Sequence, residues 1–213
     1  MSKRGRVRDK WKLKSWYSVY SPPYFGSQQI ALIPSNDPSK LLGRVVEVTL
    51  YDLTRQDIQH MNIKLYFKIV KVDGLKAETV LKGHEYSREY LRSLVRRWSS
   101  RVDTVVNLTT KDGFKVRVFP VAFTRKRIRL SQESAIREIM VEVVLERGQQ
   151  LTFDQLAQEC VLGKLASDIF HRITKICPLR HVGIRKTKLL SMPEQSAQPA
   201  SPREAEVQPS LPS

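Results

Sequence analysis

From Gly43 onward, apolar residues alternate with polar ones at a period of two, the spacing of half-buried strands. Val46, Val48 and Leu50 alternate with Val45, Glu47 and Thr49. Ile63, Leu65 and Phe67 alternate with Lys64, Tyr66 and Lys68. Ala77 to Leu81 reads as a third short strand and Thr104 to Thr109 as a brief β-branched fourth. Lys111-Asp112-Gly113 is a turn signal. It separates that run from Phe114, Val116 and Val118, which alternate with Lys115, Arg117 and Phe119, so a hairpin is expected there. His181 to Leu190 reads as the last strand. Short strands with tight turns predict a mainly antiparallel sheet, closed or curled into a barrel.

Helical spacing interrupts the strands. Ser87 is placed to cap a helix with Leu91, Leu94, Val95 and Trp98 as its apolar stripe. Arg88, Arg92 and Arg96 recur every four residues beside that stripe and predict a basic ridge. Ser131 is the expected cap of a second helix, with Ile136, Ile139, Met140 and Val143 inward and an end near Gly148. Its outer face carries Glu138, Glu142 and Glu146. Thr152 with Gln155 forms a capping-box pattern for a third helix, whose inward residues are Phe153, Leu156, Ala157, Cys160 and Val161. Gly163 marks a break, after which Leu165, Ile169, Phe170 and Ile173 continue the pattern to Pro178. The expected class is α+β, an antiparallel β-barrel-like core with packed helices.

The two ends differ from this body. Residues 1–14 have almost no core positions, and Ser21-Pro22-Pro23-Tyr24-Phe25-Gly26 fixes an extended path. Residues 1–20 are expected to form a basic arm that orders on contact with a partner, and residues 21–190 a single domain. The segment 191–213 holds five of the eleven prolines and no aromatic residue, and is expected to be a disordered tail.

Charge sharpens the picture. The net charge is +16, and three segments hold all of the excess. Residues 1–14 carry Lys3, Arg4, Arg6, Arg8, Lys10, Lys12 and Lys14 against Asp9. Residues 88–129 carry Arg88, Arg92, Arg96, Arg97, Arg101, Lys111, Lys115, Arg117, Arg125, Lys126, Arg127 and Arg129 against Glu89, Asp103 and Asp112. Residues 180–188 carry Arg180, Arg185, Lys186 and Lys188 with no acid. Cations gathered this way point to phosphate, and these side chains together with Trp11 are the candidate RNA-binding residues. Trp11 and Trp16 interleave with the lysines and are read either as base-stacking groups or as anchors onto the core, Trp16 the more so. Trp98 is assigned to the core.

Other classes fit poorly. No apolar run approaches the ~20 residues of a membrane span. The basic N-terminus has no apolar run behind it, so no secretory signal is expected. Cys160 and Cys177 have no metal-type spacing and are expected to be buried thiols in a reducing compartment. His84 beside Glu85 has the composition of a base with an orienting carboxylate, but reads better as a helix-entry loop residue. Lys82-Gly83-His84 is too short to cradle a phosphate. No enzyme, metal, cofactor or small-molecule substrate is expected.

Several of these segments resemble one ribosomal protein family. They are Trp16-Tyr17 with Ser21 to Gly26, Gly83-His84-Glu85 through Arg88 to Arg97, and Thr109 to Val118. Val161-Leu162-Gly163-Lys164 and Pro178-Leu179-Arg180 complete the set. Together they look like the small-subunit protein family called eukaryote-type small-subunit protein one, or S-three-A-e, over about Trp11 to Leu190. The resemblance implies a β-barrel-like domain bound to small-subunit ribosomal RNA, on the platform near the messenger-RNA exit region, among neighbouring ribosomal proteins. Messenger RNA is a further candidate partner. No catalytic residue is implied, and the location is the cytoplasmic ribosome. The short arm and tail favour an archaeal source. A nonribosomal RNA-binding or RNA-chaperone module stays open as an alternative, as does a protein-interaction module built on the acidic helix.

Overall fold

The two strongest alternations, at 63–68 and 114–119, become the centres of two antiparallel pairings that organise one sheet. In the computed structural model, which describes residues 11–193, the strands are β1 (Ser15–Tyr20), β2 (Gln29–Ser35), β3 (Val45–Thr49), β4 (Ile63–Asp73), β5 (Lys76–Tyr86), β6 (Arg101–Asp103), β7 (Val106–Thr109), β8 (Lys115–Thr124) and β9 (Leu179–Ser191). The helices are α1 (Leu50–Thr54), α2 (Arg88–Leu94), α3 (Leu130–Gln150), α4 (Phe153–Leu162) and α5 (Lys164–Ile173).

Strand β5 pairs with β4 along one edge, and on its other edge with β1 and then β9. Strand β8 pairs with β9 on one side and with β6 and β7 on the other. No pairing among the described residues closes the sheet, so the barrel expectation is corrected to an open mixed sheet. The parallel element is β1 against β5. The arm expectation is corrected too. Ser15–Tyr20 is a regular strand whose Tyr17 and Val19 are buried with Leu41, Ile69 and Ala77 in a small second core. Regular structure therefore begins six residues before the expected boundary at 21. At the other end Ser191 still pairs with Lys115, while the rest of the expected tail from 194 lies outside the described residues.

The main core lies between one face of the sheet and the layer α3–α5. Ile136, Met140, Val143, Leu156, Leu165, Ile169 and Ile173 pack with Leu65, Phe67, Val116, Val118 and Ile184. These are the positions the helical and alternating periods select. The Thr152–Gln155 capping box and the hairpin at Lys111-Asp112-Gly113 are both present. Gly163, at φ +84°, ends α4 and starts α5. Helix α3 begins one residue before the expected cap: Gln132 Oε1 accepts from the Arg129 N–H at 3.2 Å. Arg172 of α5 bonds Glu146 of α3 at 2.6 Å and lies 3.8 Å from Glu142, and Arg147 bonds Asp168 at 2.6 Å. The acidic stripe on α3 is thus largely consumed within the helical layer.

Two readings change place. Helix α2 stops at Leu94, so Val95 and Trp98 leave the expected stripe, and Trp98 is 80% exposed. His84 is not a loop residue; it is fully buried in β5. Its N–H donates to Thr187 Oγ1 at 3.1 Å, and its Nε2 donates to the Ile184 carbonyl at 3.1 Å. Its Nδ1 then accepts from the Thr187 hydroxyl at 2.9 Å, which fixes a neutral imidazole. Burial pushes its pKa down to about 4. Beside it, Gly83 is required by close approach: a Cβ there would sit 2.1 Å from the Thr187 carbonyl oxygen.

Two outcomes follow from this junction. Gly83→Ala should lose about 2–3 kcal/mol of stability by urea unfolding, because backbone rather than a flexible tip must move. The folded pKa of His84 lies below the unfolded value of about 6.5, so the unfolded chain binds the proton first as pH falls. Stability should decline as pH falls from about 6.5 towards 4. His84→Gln should show a flatter change in thermal midpoint between pH 7 and pH 5 than the native chain.

Candidate nucleic-acid interface

Thr124, fully buried at the end of β8, draws together segments that are distant in sequence. Its Oγ1 accepts from the Ser100 N–H at 2.9 Å and donates to the Lys126 carbonyl at 2.6 Å, while its own N–H donates to the Ser100 carbonyl at 3.0 Å. The Ile128 N–H donates to Ser100 Oγ at 3.3 Å. One residue on, the Arg125 N–H donates to the Pro178 carbonyl at 3.0 Å and its Nε to the Leu179 carbonyl at 3.1 Å. The loop after α2, the segment after β8 and the start of β9 therefore meet at one end of the sheet.

That end is basic. Arg96, Arg97, Arg101, Arg125, Lys126, Arg127 and Arg180 are all exposed there, with Arg129 at the start of α3. Helix α2 joins them through Tyr90, which sits edge-to-face on Tyr86 and His181 at 5.3 and 5.9 Å. It carries Arg88 and Arg92, also exposed. Arg96 lies beyond the helix, so the expected three-residue ridge becomes two helical arginines and a loop arginine. Among the described residues, only Arg101 of this group is salt-bridged, to Asp103 at 2.8 Å. A concavity of about 580 Å³ opens beside α2, lined by Tyr86, Tyr90, Phe170, Arg180 and His181. Burial and the neighbouring Arg180 hold the His181 pKa below its usual value, so the positive charge here is carried by Arg and Lys.

A second basic surface occupies the sheet face turned away from the helices. Arg117 stands opposite Lys188 across β8 and β9, with Lys115 and Lys186 beside them. Arg117 Nε donates to Asn107 Oδ1 at 2.7 Å. Lys186 bonds Glu85 at 2.6 Å, and Arg185 lies 5.6 Å from the centre of the Phe119 ring. A groove of about 380 Å³ runs past Tyr66, Lys82, Glu85, Lys186 and Lys188. Lys111 is exposed in the β7–β8 turn. Eight residues separate Arg117 from Arg125 and Arg180 from Lys188, roughly 26 Å along a strand. The two internal charge clusters of the sequence are each divided between these surfaces.

The N-terminal candidates lie elsewhere. Lys3, Arg4, Arg6, Arg8 and Lys10 fall outside the described residues. Trp11 and Trp16 are 57% and 55% exposed and meet edge-to-face at 6.3 Å, so Trp16 is not the expected core anchor. Lys14 Nζ lies 4.2 Å over the Trp11 ring, and Lys12 is exposed. The neighbouring strand is tied to the β4–β5 turn by the Ser18 N–H donating to the Leu75 carbonyl at 2.8 Å. This is the end of β5 opposite to the junction with β9.

Sequence reasoning missed Lys82 on the groove beside Lys186 and Lys188, a single base in a strand that resembles any outward polar position. It also misplaced Trp98. The alternative chemistries find nothing to build on: His84 is locked inside the sheet, and burial pushes the Cys160 thiol up to about 12. Thr124→Val should cost about 1–3 kcal/mol through lost hydrogen bonds. It should also speed tryptic cleavage after Arg96 and Arg97, followed by mass spectrometry on the folded protein.

Comparison with known proteins finds a model of the Ribosomal S3Ae family matching residues 2–193. A protein of Staphylothermus marinus named small ribosomal subunit protein eS1 is 49% identical over 201 residues, covering 94% of this chain and 92% of its own. One of the same name from Desulfurococcus amylolyticus is 46% identical over 204 residues, covering 96% and 93%. Another from Saccharolobus islandicus is 47% identical over 193 residues, covering 91% and 92%.

Proposed function

The chain belongs to the Ribosomal S3Ae family, and from that premise we propose that it is a structural constituent of the small ribosomal subunit, holding ribosomal RNA through the two basic surfaces. Its archaeal relatives carry the name of a small-subunit ribosomal protein, and the role is structural, not enzymatic. The working location is the ribosome in the cytoplasm. The finer placement is the platform near the messenger-RNA exit region, beside other small-subunit proteins and within reach of messenger RNA. It rests on the family resemblance.

One observation carries the RNA-binding part of this reading. Three sequence segments converge at Thr124 and expose arginines and lysines that, Arg101 apart, have no carboxylate partner among the described residues. Gathering like charges opposes folding, and a phosphate polymer reverses the sign by releasing its condensed counterions. Arginine suits a folded RNA because its planar fork grips phosphate with two hydrogen bonds and stacks on bases.

A chain with Arg96, Arg97, Lys126 and Arg127 all replaced by Gln should bind small-subunit ribosomal RNA with a shallower dependence on salt. Each lost phosphate contact should reduce the slope of log affinity against log salt by about 0.7–0.9. The thermal midpoint should hold or rise, since none of the four side chains is hydrogen-bonded within the described residues and their mutual repulsion is removed. An unchanged slope, measured by filter binding across a salt series, removes this surface from the interface.

A further inference from the structure

The loop between α2 and β6 spends conformational energy on something the fold itself does not use. Arg96 to Ser99 form a tight turn: the Ser99 N–H and Oγ both reach the Arg96 carbonyl, at 3.4 and 2.7 Å. Ser99 Oγ also accepts from the Arg96 N–H at 3.4 Å. Trp98 occupies the third position of this turn at φ +62°, a left-handed conformation that suits glycine or asparagine and strains a bulky side chain. A strained residue usually gains compensation by packing. Trp98 gains none, being 80% exposed and making no ring contact among the described residues.

Its setting specifies a partner. The preceding Arg96 and Arg97 are exposed, and Ser100, the residue after the turn, is fastened to Thr124 and Ile128. That fastening anchors the loop that carries the indole to the basic end of the sheet. An indole presented beside paired cations matches an unpaired nucleobase: the ring takes the base face while the arginines take the adjoining phosphates. An uncharged protein surface matches this tip less well, because covering Arg96 and Arg97 there would bury two cations without the counter-charge that adjoining phosphates supply.

We propose that Trp98 is a stacking residue for an unpaired base of the RNA held by the basic end of the sheet. The inference rests on the RNA-binding reading above and adds to it the nature of the contacted nucleotide. A duplex offers phosphates but keeps its base faces covered, so the loop should discriminate single-stranded from paired RNA.

Trp98→Asn and Trp98→Gly test this without endangering the fold, since both residues accept a positive φ. Each should hold or raise the thermal midpoint. Each should weaken binding of a single-stranded oligoadenylate by between about fivefold and about a hundredfold, the worth of one stacked base, with the salt slope unchanged. Binding to a blunt RNA duplex of equal length should not change. Trp98→Phe should restore part of the loss. In a Trp11→Phe, Trp16→Phe chain, where Trp98 is the sole indole, fluorescence should be quenched by the single strand and not by the duplex. Equal quenching by both, or binding that ignores the Trp98 substitutions, overturns the stacking role while leaving phosphate binding intact. Failure to bind any RNA, purified small-subunit ribosomal RNA included, overturns the RNA-binding reading and this inference together.

Discussion

The junction of β5 with β9 is the constraint on which the rest of the architecture depends. One half of the sheet comprises β1 to β5, and the other β6 to β9. The two halves meet through a single register pair, Glu85 with Lys186, and through the buried His84–Thr187 bonds next to it. Gly83 allows the backbones to come this close, and His84 fills the space with a neutral ring that both donates and accepts. A charged ring there would be stripped of water, and a larger neighbour would force the strands apart. The outward face with Lys82, Lys186 and Lys188, and the seat of α4 and α5 on the opposite face, inherit their geometry from this contact.

The basic end of the sheet depends on a smaller device of the same kind. A single buried hydroxyl, that of Thr124, fixes the positions of Ser100 and Lys126, while Arg125 uses its own guanidinium to hold the start of β9. Hydrogen bonds to backbone carbonyls and N–H groups thus set the spacing of charges at the surface. This arrangement leaves the exposed cations other than Arg101 without a carboxylate partner among the described residues while the scaffold bears their mutual repulsion.

Much of the fold was legible because burial leaves a periodic trace. The inward residues of α4 and α5, the β7–β8 hairpin and the break at Gly163 all follow from spacing and turn chemistry. Closure was not legible. Alternation says which face of a strand is buried, but it does not say which strands share an edge, so a parallel β1–β5 pair and an open sheet escaped it. The candidate interface was legible in composition and not in arrangement. Arg117 and Arg125 look adjacent in a charge count, yet a strand carries them to different surfaces. Trp98 was misread because Leu91, Leu94 and Trp98 keep helical spacing past the point where the helix has ended at Leu94. A period describes a helix only as long as the helix continues.

The ion pairs between α3 and α5 have a consequence for how the molecule meets its partner. With seven acids against four bases over residues 130–173, and with Glu142 and Glu146 tied to Arg172 and Arg147 to Asp168, the helical layer is weakly negative, whereas the opposite side and one end of the sheet are strongly positive. Such a lopsided distribution gives the molecule a large permanent dipole. Near a polyanion such a dipole would feel a torque as well as a pull, which would turn its cationic side forward during diffusion. The weakly negative helical layer would then face away from the polyanion.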